Sequence, residues 1–82
     1  MKPIKIAIAE DNNLLAKSIK EKLDFFNEEI EYKYRAKHGN DLVEKLEKDS
    51  DIDVILMDIE MPELDGIKTT QIVNEAYPQI KI

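Results

Sequence analysis

The sequence contains no cysteine, which excludes disulfides and thiolate metal sites from its 82 residues. It also has no apolar run near the length that spans a membrane, and its first residues show no signal-peptide pattern. Basic residues are outnumbered, since 12 lysines and arginines face 18 acids and the net charge is −6. An acidic surface repels nucleic acid phosphates. We therefore expect no direct nucleic acid binding by this segment, no membrane contact and a cytoplasmic location.

The length suits one small domain rather than two. A domain of this size buries a modest fraction of its surface, so its stability should be marginal without help. The sequence shows no internal repeat, low-complexity stretch or linker. Most of the acids fall on predicted solvated helix faces, where they contribute to solubility. Only the acids at predicted strand ends suggest chemistry.

Four short stretches are predicted to be strands. Residues 4–9 (IKIAIA) alternate isoleucine with lysine and alanine, which indicates a strand whose second face is also covered. Residues 30–36 (IEYKYRA) alternate strictly between a dry face and a charged face, as an edge strand does, and their Lys and Arg would discourage edge-to-edge pairing. Residues 54–57 (VILM) are continuously apolar, which predicts a central strand buried on both faces. Residues 79–82 (QIKI) are predicted to begin a fourth strand.

Helical periodicity separates these strands. Apolar residues recur at spacings of three and four over about 13–27 and 66–77, and a shorter amphipathic helix runs to about residue 48. Asn40 is predicted to cap the second helix, and Pro78 to end the third. His38, the single histidine, is predicted to be a surface residue rather than a catalyst or ligand.

This alternation predicts an α/β fold, a doubly wound parallel sheet with helices on both faces. The second strand has one solvent-facing side and therefore belongs at an edge, whereas the apolar third strand belongs inside the sheet. The first strand fits between the second and the third. The predicted strand order is 2-1-3-4, with a switch point between strands one and three. Ligands of such sheets bind at the carboxyl ends of the strands at this point.

Three acids should converge at the switch point. Glu10 and Asp11 follow the first strand, Asp58 follows the third, and adjacent strands lie about 5 Å apart. Crowded carboxylates repel one another unless a proton or cation intervenes, and Mg²⁺ suits oxygen ligands and phosphate. A carboxylate beside such an ion can accept a phosphoryl group. The plainer alternative is helix capping, which Asp11, Asn12 or Asn13 could provide.

Two stretches resemble the receiver domain of two-component response regulators. IAIAEDNNLL carries the acidic pair, and VILMDIEMPELDGI carries Asp58 with Met61-Pro62 and Asp65-Gly66 at the family's spacing. The resemblance is strongest to the DNA-binding regulators of the NarL/LuxR type. It implies a flavodoxin-like sheet of five strands in the order 2-1-3-4-5.

The resemblance also implies the roles of the site residues. Asp58 would be the phosphoacceptor, and Glu10, Asp11 and Asp58 would hold Mg²⁺ with the backbone carbonyl of Glu60. Four residues of the following loop would support the site: Met61, Pro62, Asp65 and Gly66. The phosphoryl group would come from a sensor histidine kinase or a small phosphodonor and would switch a covalently linked DNA-binding output domain. Such a module is a phosphoacceptor in phosphotransfer, not a conventional enzyme.

The chain departs from the family pattern after residue 82. A receiver continues to a Ser/Thr, a fifth strand ending in Lys and a last helix, so we interpret residues 1–82 as the N-terminal part of a single receiver domain. Without the Ser/Thr and Lys, phosphorylation should be impaired. Without the last helix, the sheet near strands one and three and the stripe of Leu15, Ile19 and Leu23 should be bare. An apolar patch and a raw edge strand favour self-association.

Two other functions stay open. A pseudo-receiver would bind partners without phosphate, although the intact acids argue against this for the parent protein. A Mg-dependent phosphohydrolase also uses an Asp nucleophile at a strand end. Such enzymes have a second Asp two residues later, where this chain has Glu60. Modification of Asp58 would favour the receiver, and steady phosphate release from small esters would favour the hydrolase.

Overall fold

The computed structural model describes residues 2–57 and 66–82. Strands and helices alternate along the chain, as predicted. They are β1 (Ile4–Ala9), α1 (Asn13–Asp24), β2 (Ile30–Ala36), α2 (Gly39–Lys48), β3 (Val54–Met57) and α3 (Gly66–Ala76). Within the described ranges, none of the helices has the length and apolar character needed to cross a bilayer.

The three strands form a parallel sheet in the order β2-β1-β3. The predicted order of the first three strands is therefore confirmed, with β2 at an edge. The register ends with Ala9 beside Ala36 on one side and beside Met57 on the other. All three strands thus end at the same edge of the sheet, where a doubly wound fold places its ligands.

The predicted fourth strand is present as a single bridge. Lys81 pairs with Val54 in the parallel direction. The Lys81 amide donates to the Asp53 carbonyl at 3.0 Å, and the Ile55 amide donates to the Lys81 carbonyl at 2.8 Å. The chain therefore lies beside β3, as the order 2-1-3-4 requires.

One extra residue in β2 changes the face on which its side chains lie. Ile6 pairs with Tyr32 but Ala7 pairs with Tyr34, so the register shifts by one at Lys33. Because paired residues in a parallel sheet share a face, Tyr32 and Tyr34 lie on opposite faces. The predicted single dry face of β2 is therefore wrong.

The helix ends differ from their predicted positions. Helix α1 ends at Asp24, and the Phe26 carbonyl then accepts amide hydrogen bonds from Glu29 and Ile30 in a turn. Helix α2 begins at Gly39, and its N-cap is His38, whose Nδ1 accepts from the Asp41 amide at 3.1 Å. The prediction of Asn40 as the cap is therefore wrong, and His38 has a structural role that its sequence position did not reveal.

The main core lies on one face of the sheet, under α2 and α3. It consists of small and branched side chains that are almost fully buried: Ala7, Ala9, Ala36, Leu42, Leu46, Ile52, Ile55, Val73 and Ile80. The alanines of β1 lie on this face, opposite the isoleucines at alternate positions of the strand.

The other face of the sheet is less completely covered. Helix α1 packs chiefly over β2. Ile6 and Ile8 are buried, but Leu56 is 39 % exposed and Leu15 of α1 is 49 % exposed. The prediction that the third strand is buried on both faces is therefore wrong at Leu56. The predicted exposure of this face is confirmed at Leu56 and Leu15, and it is wrong at Ile6 and Ile8 of β1.

The raised pKa of Tyr34 allows its burial on the core face of the sheet to be tested. Its hydroxyl donates to the Asp49 carbonyl at 2.8 Å. Burial, followed by the nearby Asp49 carboxylate and Tyr77, raises the pKa of Tyr34 to about 12. Because the folded pKa lies above the ordinary value of about 10, its contribution to stability is complete below about pH 10 and is lost as the pH rises through about 12.

We expect Tyr34→Phe to remove the late step from an alkaline titration followed by tyrosinate absorbance. The wild-type chain has three tyrosines, and Tyr32→Phe is the matched control on the same strand. If Tyr34→Phe instead lost an early step and kept the late one, the high pKa would belong to another tyrosine.

Candidate functional site

Glu10 is the first residue after β1 and lies at the carboxyl edge of the sheet. Its amide donates to the Ala36 carbonyl of β2 at 3.0 Å, so the strand pairing extends through this residue. Its side chain is buried, with only 5 % of the residue exposed. The Glu10 Oε2 accepts a hydrogen bond from the Asn12 amide at 3.2 Å. The carboxylate therefore sits against the start of α1, where the helix dipole favours negative charge.

Asp11 and Asn12 complete the turn between β1 and α1. Asn12 is the N-cap, and its Oδ1 accepts from the Leu15 amide at 3.0 Å. Asp11 is exposed to solvent. The capping alternative therefore applies to Asn12, and the two neighbouring acids differ in burial while sharing one edge of the sheet.

The third acid follows β3. Met57, the last residue of β3, is the register partner of Ala9, and the residues that come next in sequence are Asp58 and Glu10. Asp58 lies outside the described residues. So do four other predicted site residues: Glu60, Met61, Pro62 and Asp65. Among residues 2–57 and 66–82, no group of three His, Cys, Asp or Glu side chains could hold a metal ion, so the magnesium site stays a prediction.

Gly66 is the member of the predicted loop that the structure describes. It is the first residue of α3 and is buried. Its carbonyl accepts a hydrogen bond from the Thr70 hydroxyl at 2.6 Å.

Sequence analysis missed the contact between Arg35 and Glu10. The Arg35 Nε and Nη2 donate to the Glu10 carbonyl at 3.0 and 2.8 Å. Arg35 was predicted to be a solvent-facing residue of an edge strand. A usable signal was its position, one residue before the end of a strand adjacent to the acidic turn, but the face on which it lies depends on the register shift at Lys33.

An open cavity of about 310 Å³ borders Glu10 on the less covered face of the sheet. Its lining is mostly apolar and comes from β1, β3 and α1: Ile8, Ala9, Glu10, Leu15, Ile19, Leu56 and Met57. The cavity links the acidic edge to the exposed apolar side chains Leu15 and Leu56. It is therefore part of an uncovered face rather than an enclosed ligand pocket.

Known proteins share this sequence pattern. The sequence model of the response regulator receiver domain matches residues 6–82. Hybrid signal transduction histidine kinase H of Dictyostelium discoideum is 38% identical over 79 residues, which cover 93% of this chain and 6% of the kinase. The transcriptional regulatory protein DegU of Brevibacillus brevis, of the NarL family, is 35% identical over 79 residues, which cover 96% of this chain and 33% of DegU.

The chain thus spans a small part of these relatives. The fold is also shared with a solved structure, the CheX-CheY-BeF3-Mg complex from Borrelia burgdorferi. The TM-score is 0.83 at 25% identity, and the match covers 95% of this chain and 57% of that chain. The alternating elements, the strand order 2-1-3 and the match over residues 6–82 lead to one conclusion. The chain belongs to the response regulator receiver domain family.

Proposed function

We propose that the chain is a phosphoacceptor module of two-component signalling that takes a phosphoryl group from a sensor histidine kinase onto Asp58. The observation that supports this best is the register between β1 and β3, which pairs Ala9 with Met57. Each of these residues is followed in sequence by an acid, Glu10 or Asp58. The two acids therefore come from adjacent strand ends at the switch point.

The donor set fits a divalent cation. Glu10, Asp11 and Asp58 supply carboxylate oxygens, and the Glu60 carbonyl supplies a further oxygen, which are the hard ligands that Mg²⁺ prefers. The solved relative is a complex that contains BeF3 and Mg²⁺ by its own description. When bound, Mg²⁺ neutralises charge on the phosphoryl oxygens. The burial of Glu10, held by the Asn12 amide, keeps one ligand in place before the cation arrives.

The transfer itself needs one nucleophile. A carboxylate oxygen of Asp58 forms a bond to phosphorus while the phosphorus–nitrogen bond to the kinase histidine breaks, which gives an acyl phosphate on Asp58. The displaced histidine nitrogen keeps the bonding electrons and takes up a proton. Catalysis of this kind depends mainly on position and charge neutralisation, and a carboxylate that directly follows a strand in the sequence suits it.

The name of one relative supports a transcriptional output. DegU is a transcriptional regulatory protein, and the matched region covers a third of it. We propose that the parent of this chain joins the receiver to a DNA-binding output domain. The net charge of −6 makes the receiver itself a poor ligand for DNA.

Intact-mass analysis tests the proposal. The chain, and the parent protein that contains it, are incubated with acetyl phosphate in the presence of Mg²⁺. We expect part of the population to gain a single phosphoryl group, and we expect a chelator to prevent the gain. No gain by the parent protein would contradict phosphotransfer and favour the pseudo-receiver. Steady release of phosphate from small esters would favour the hydrolase.

We also infer that the exposed apolar face pairs with the same face of a second copy. Leu15, Leu56 and Ile4 are each more than a third exposed, and the open cavity lies between the first two. A two-fold axis would place this patch against itself, so one surface is sufficient for both partners. Covering apolar side chains of this size is favourable by about 25 cal/mol per Å².

Light scattering at high micromolar concentration checks the self-association. We expect the wild-type chain to have an average mass about twice that of the monomer, and we expect Leu15→Lys to lower it to the monomer value. Leu14→Lys is the matched control, because Leu14 is 81 % exposed on the same helix and is not part of the cavity lining. A monodisperse wild-type monomer would contradict the inference.

A further inference from the structure

Arg35 joins the end of β2 to the turn that follows β1. Two nitrogens of its guanidinium converge on one oxygen, the main-chain carbonyl of Glu10, at 3.0 and 2.8 Å. We propose that Arg35 is a positioning residue for the cation site, and that it sets the affinity for a divalent cation through its hold on Glu10. This inference depends on the proposed function, in which Glu10 is a ligand of the cation.

The amide and the carbonyl of Glu10 are both hydrogen-bonded to residues of β2. Its amide donates to the Ala36 carbonyl at 3.0 Å, and its carbonyl accepts from Arg35. With both groups held, rotation of the main chain about Glu10 is restricted, so the side chain leaves the backbone in a narrow range of directions. The buried carboxylate is then fixed by its hydrogen bond from the Asn12 amide. Arg35 therefore contributes to the preorganisation of a ligand that it does not touch.

The register shift makes this contact possible. Because of the extra residue at Lys33, Arg35 pairs with Ile8 and lies on the face of the sheet under α1. It lines a cavity of about 200 Å³ there with residues of α1, which include Lys17 and Lys20. The guanidinium is thus placed beside the start of α1, next to the turn that carries the acids.

Geometry and charge predict opposite effects of removing Arg35. A positive charge near a cation site repels the cation, so loss of the charge alone would strengthen binding. Loss of the two hydrogen bonds would free the Glu10 main chain and weaken binding. Since Arg35 contacts a neutral carbonyl rather than the carboxylate, we expect the geometric effect to be the larger one.

Titration with Mn²⁺, followed by the electron paramagnetic resonance signal of the free ion, tests the proposal. Arg35→Ala is expected to weaken binding by about tenfold, as removal of an outer-shell partner does. Arg35→Lys keeps the charge but cannot donate from two nitrogens to the same carbonyl, and we expect the Mn²⁺ affinity to fall by about threefold or more. Lys20→Ala is the matched control, because it removes the same charge from the cavity that Arg35 lines, and Lys20 pairs with Asp24 rather than with Glu10. We expect its affinity to stay within about twofold.

Urea unfolding of each variant shows whether a loss of affinity merely follows a loss of stability. Arg35→Lys carries the test by itself if the alanine variant does not fold. Unchanged or stronger Mn²⁺ binding in the folded Arg35 variants would overturn the inference and leave the proposed function intact. A wild-type chain whose Mn²⁺ binding is absent, or is unaffected by Asp58→Asn, would overturn the proposed function together with this inference.

Discussion

Asp58→Asn is expected to reduce the mass gain produced by acetyl phosphate and Mg²⁺ to background. The substitution keeps the shape of the side chain but replaces a charged carboxylate with an amide, which neither attacks phosphorus nor supplies an anionic ligand to a cation. Both proposed roles of the residue are therefore lost at once. Intact-mass analysis of the variant under the conditions that modify the wild type is the measurement.

Asp53→Asn is the matched control for this result. Asp53 immediately precedes β3, at the opposite end of the strand, and its Oδ2 accepts from the Lys5 amide at 2.9 Å. An asparagine oxygen can accept the same hydrogen bond, so the fold should persist and the mass gain should remain. Modification of Asp58→Asn, or an equal loss in both variants, would contradict the assignment of Asp58 as the phosphoacceptor.

Leu42→Ala is expected to lower the free energy of unfolding by about 2–5 kcal/mol. Leu42 lies on α2 and is fully buried in the core with Leu46 and Ile55. Truncation would leave a cavity between α2 and the sheet, because neighbouring side chains collapse only partly into the space. Domains of this length have a free energy of unfolding of about 4–12 kcal/mol, so the substitution would remove much of the stability.

Urea unfolding followed by circular dichroism measures this effect. Leu14→Ala provides the same chemical change at a residue that is 81 % exposed, and we expect it to alter the free energy of unfolding by less than about 0.5 kcal/mol. Equal effects of the two substitutions would show that the layer under α2 and α3 is not the main core.

The order of elements could be predicted because it depends on local patterns. Apolar residues recur at a period of two in β1 and at spacings of three and four in the helices, and these periods indicate the type of each element. The position of β2 at an edge also followed from its alternation. The acidic edge was predicted in outline, since Glu10 and Asp11 follow β1 whatever the details of packing.

The features that could not be predicted depend on contacts between distant parts of the chain. Leu56 belongs to an apolar run, but its burial depends on whether a helix covers that face of β3. Phe26 continues the apolar stripe of α1, yet the helix ends at Asp24 and Phe26 lies in the turn that follows. Capping preferences favoured Asn40, whereas the connection from β2 starts α2 two residues earlier and makes His38 the cap.

The extra residue at Lys33 bears on how this chain is compared with its relatives. Without it, Tyr34, Arg35 and Ala36 would keep their partners in β1, because Tyr32 and Tyr34 already lie on opposite faces, as consecutive residues of a regular strand do. A homologue with a β2 shorter by one therefore matches this chain only when the alignment gap is placed at Lys33. A gap placed after Arg35 would put a residue from the other face of the sheet in its column, and the presence or absence of an arginine there would then carry no information.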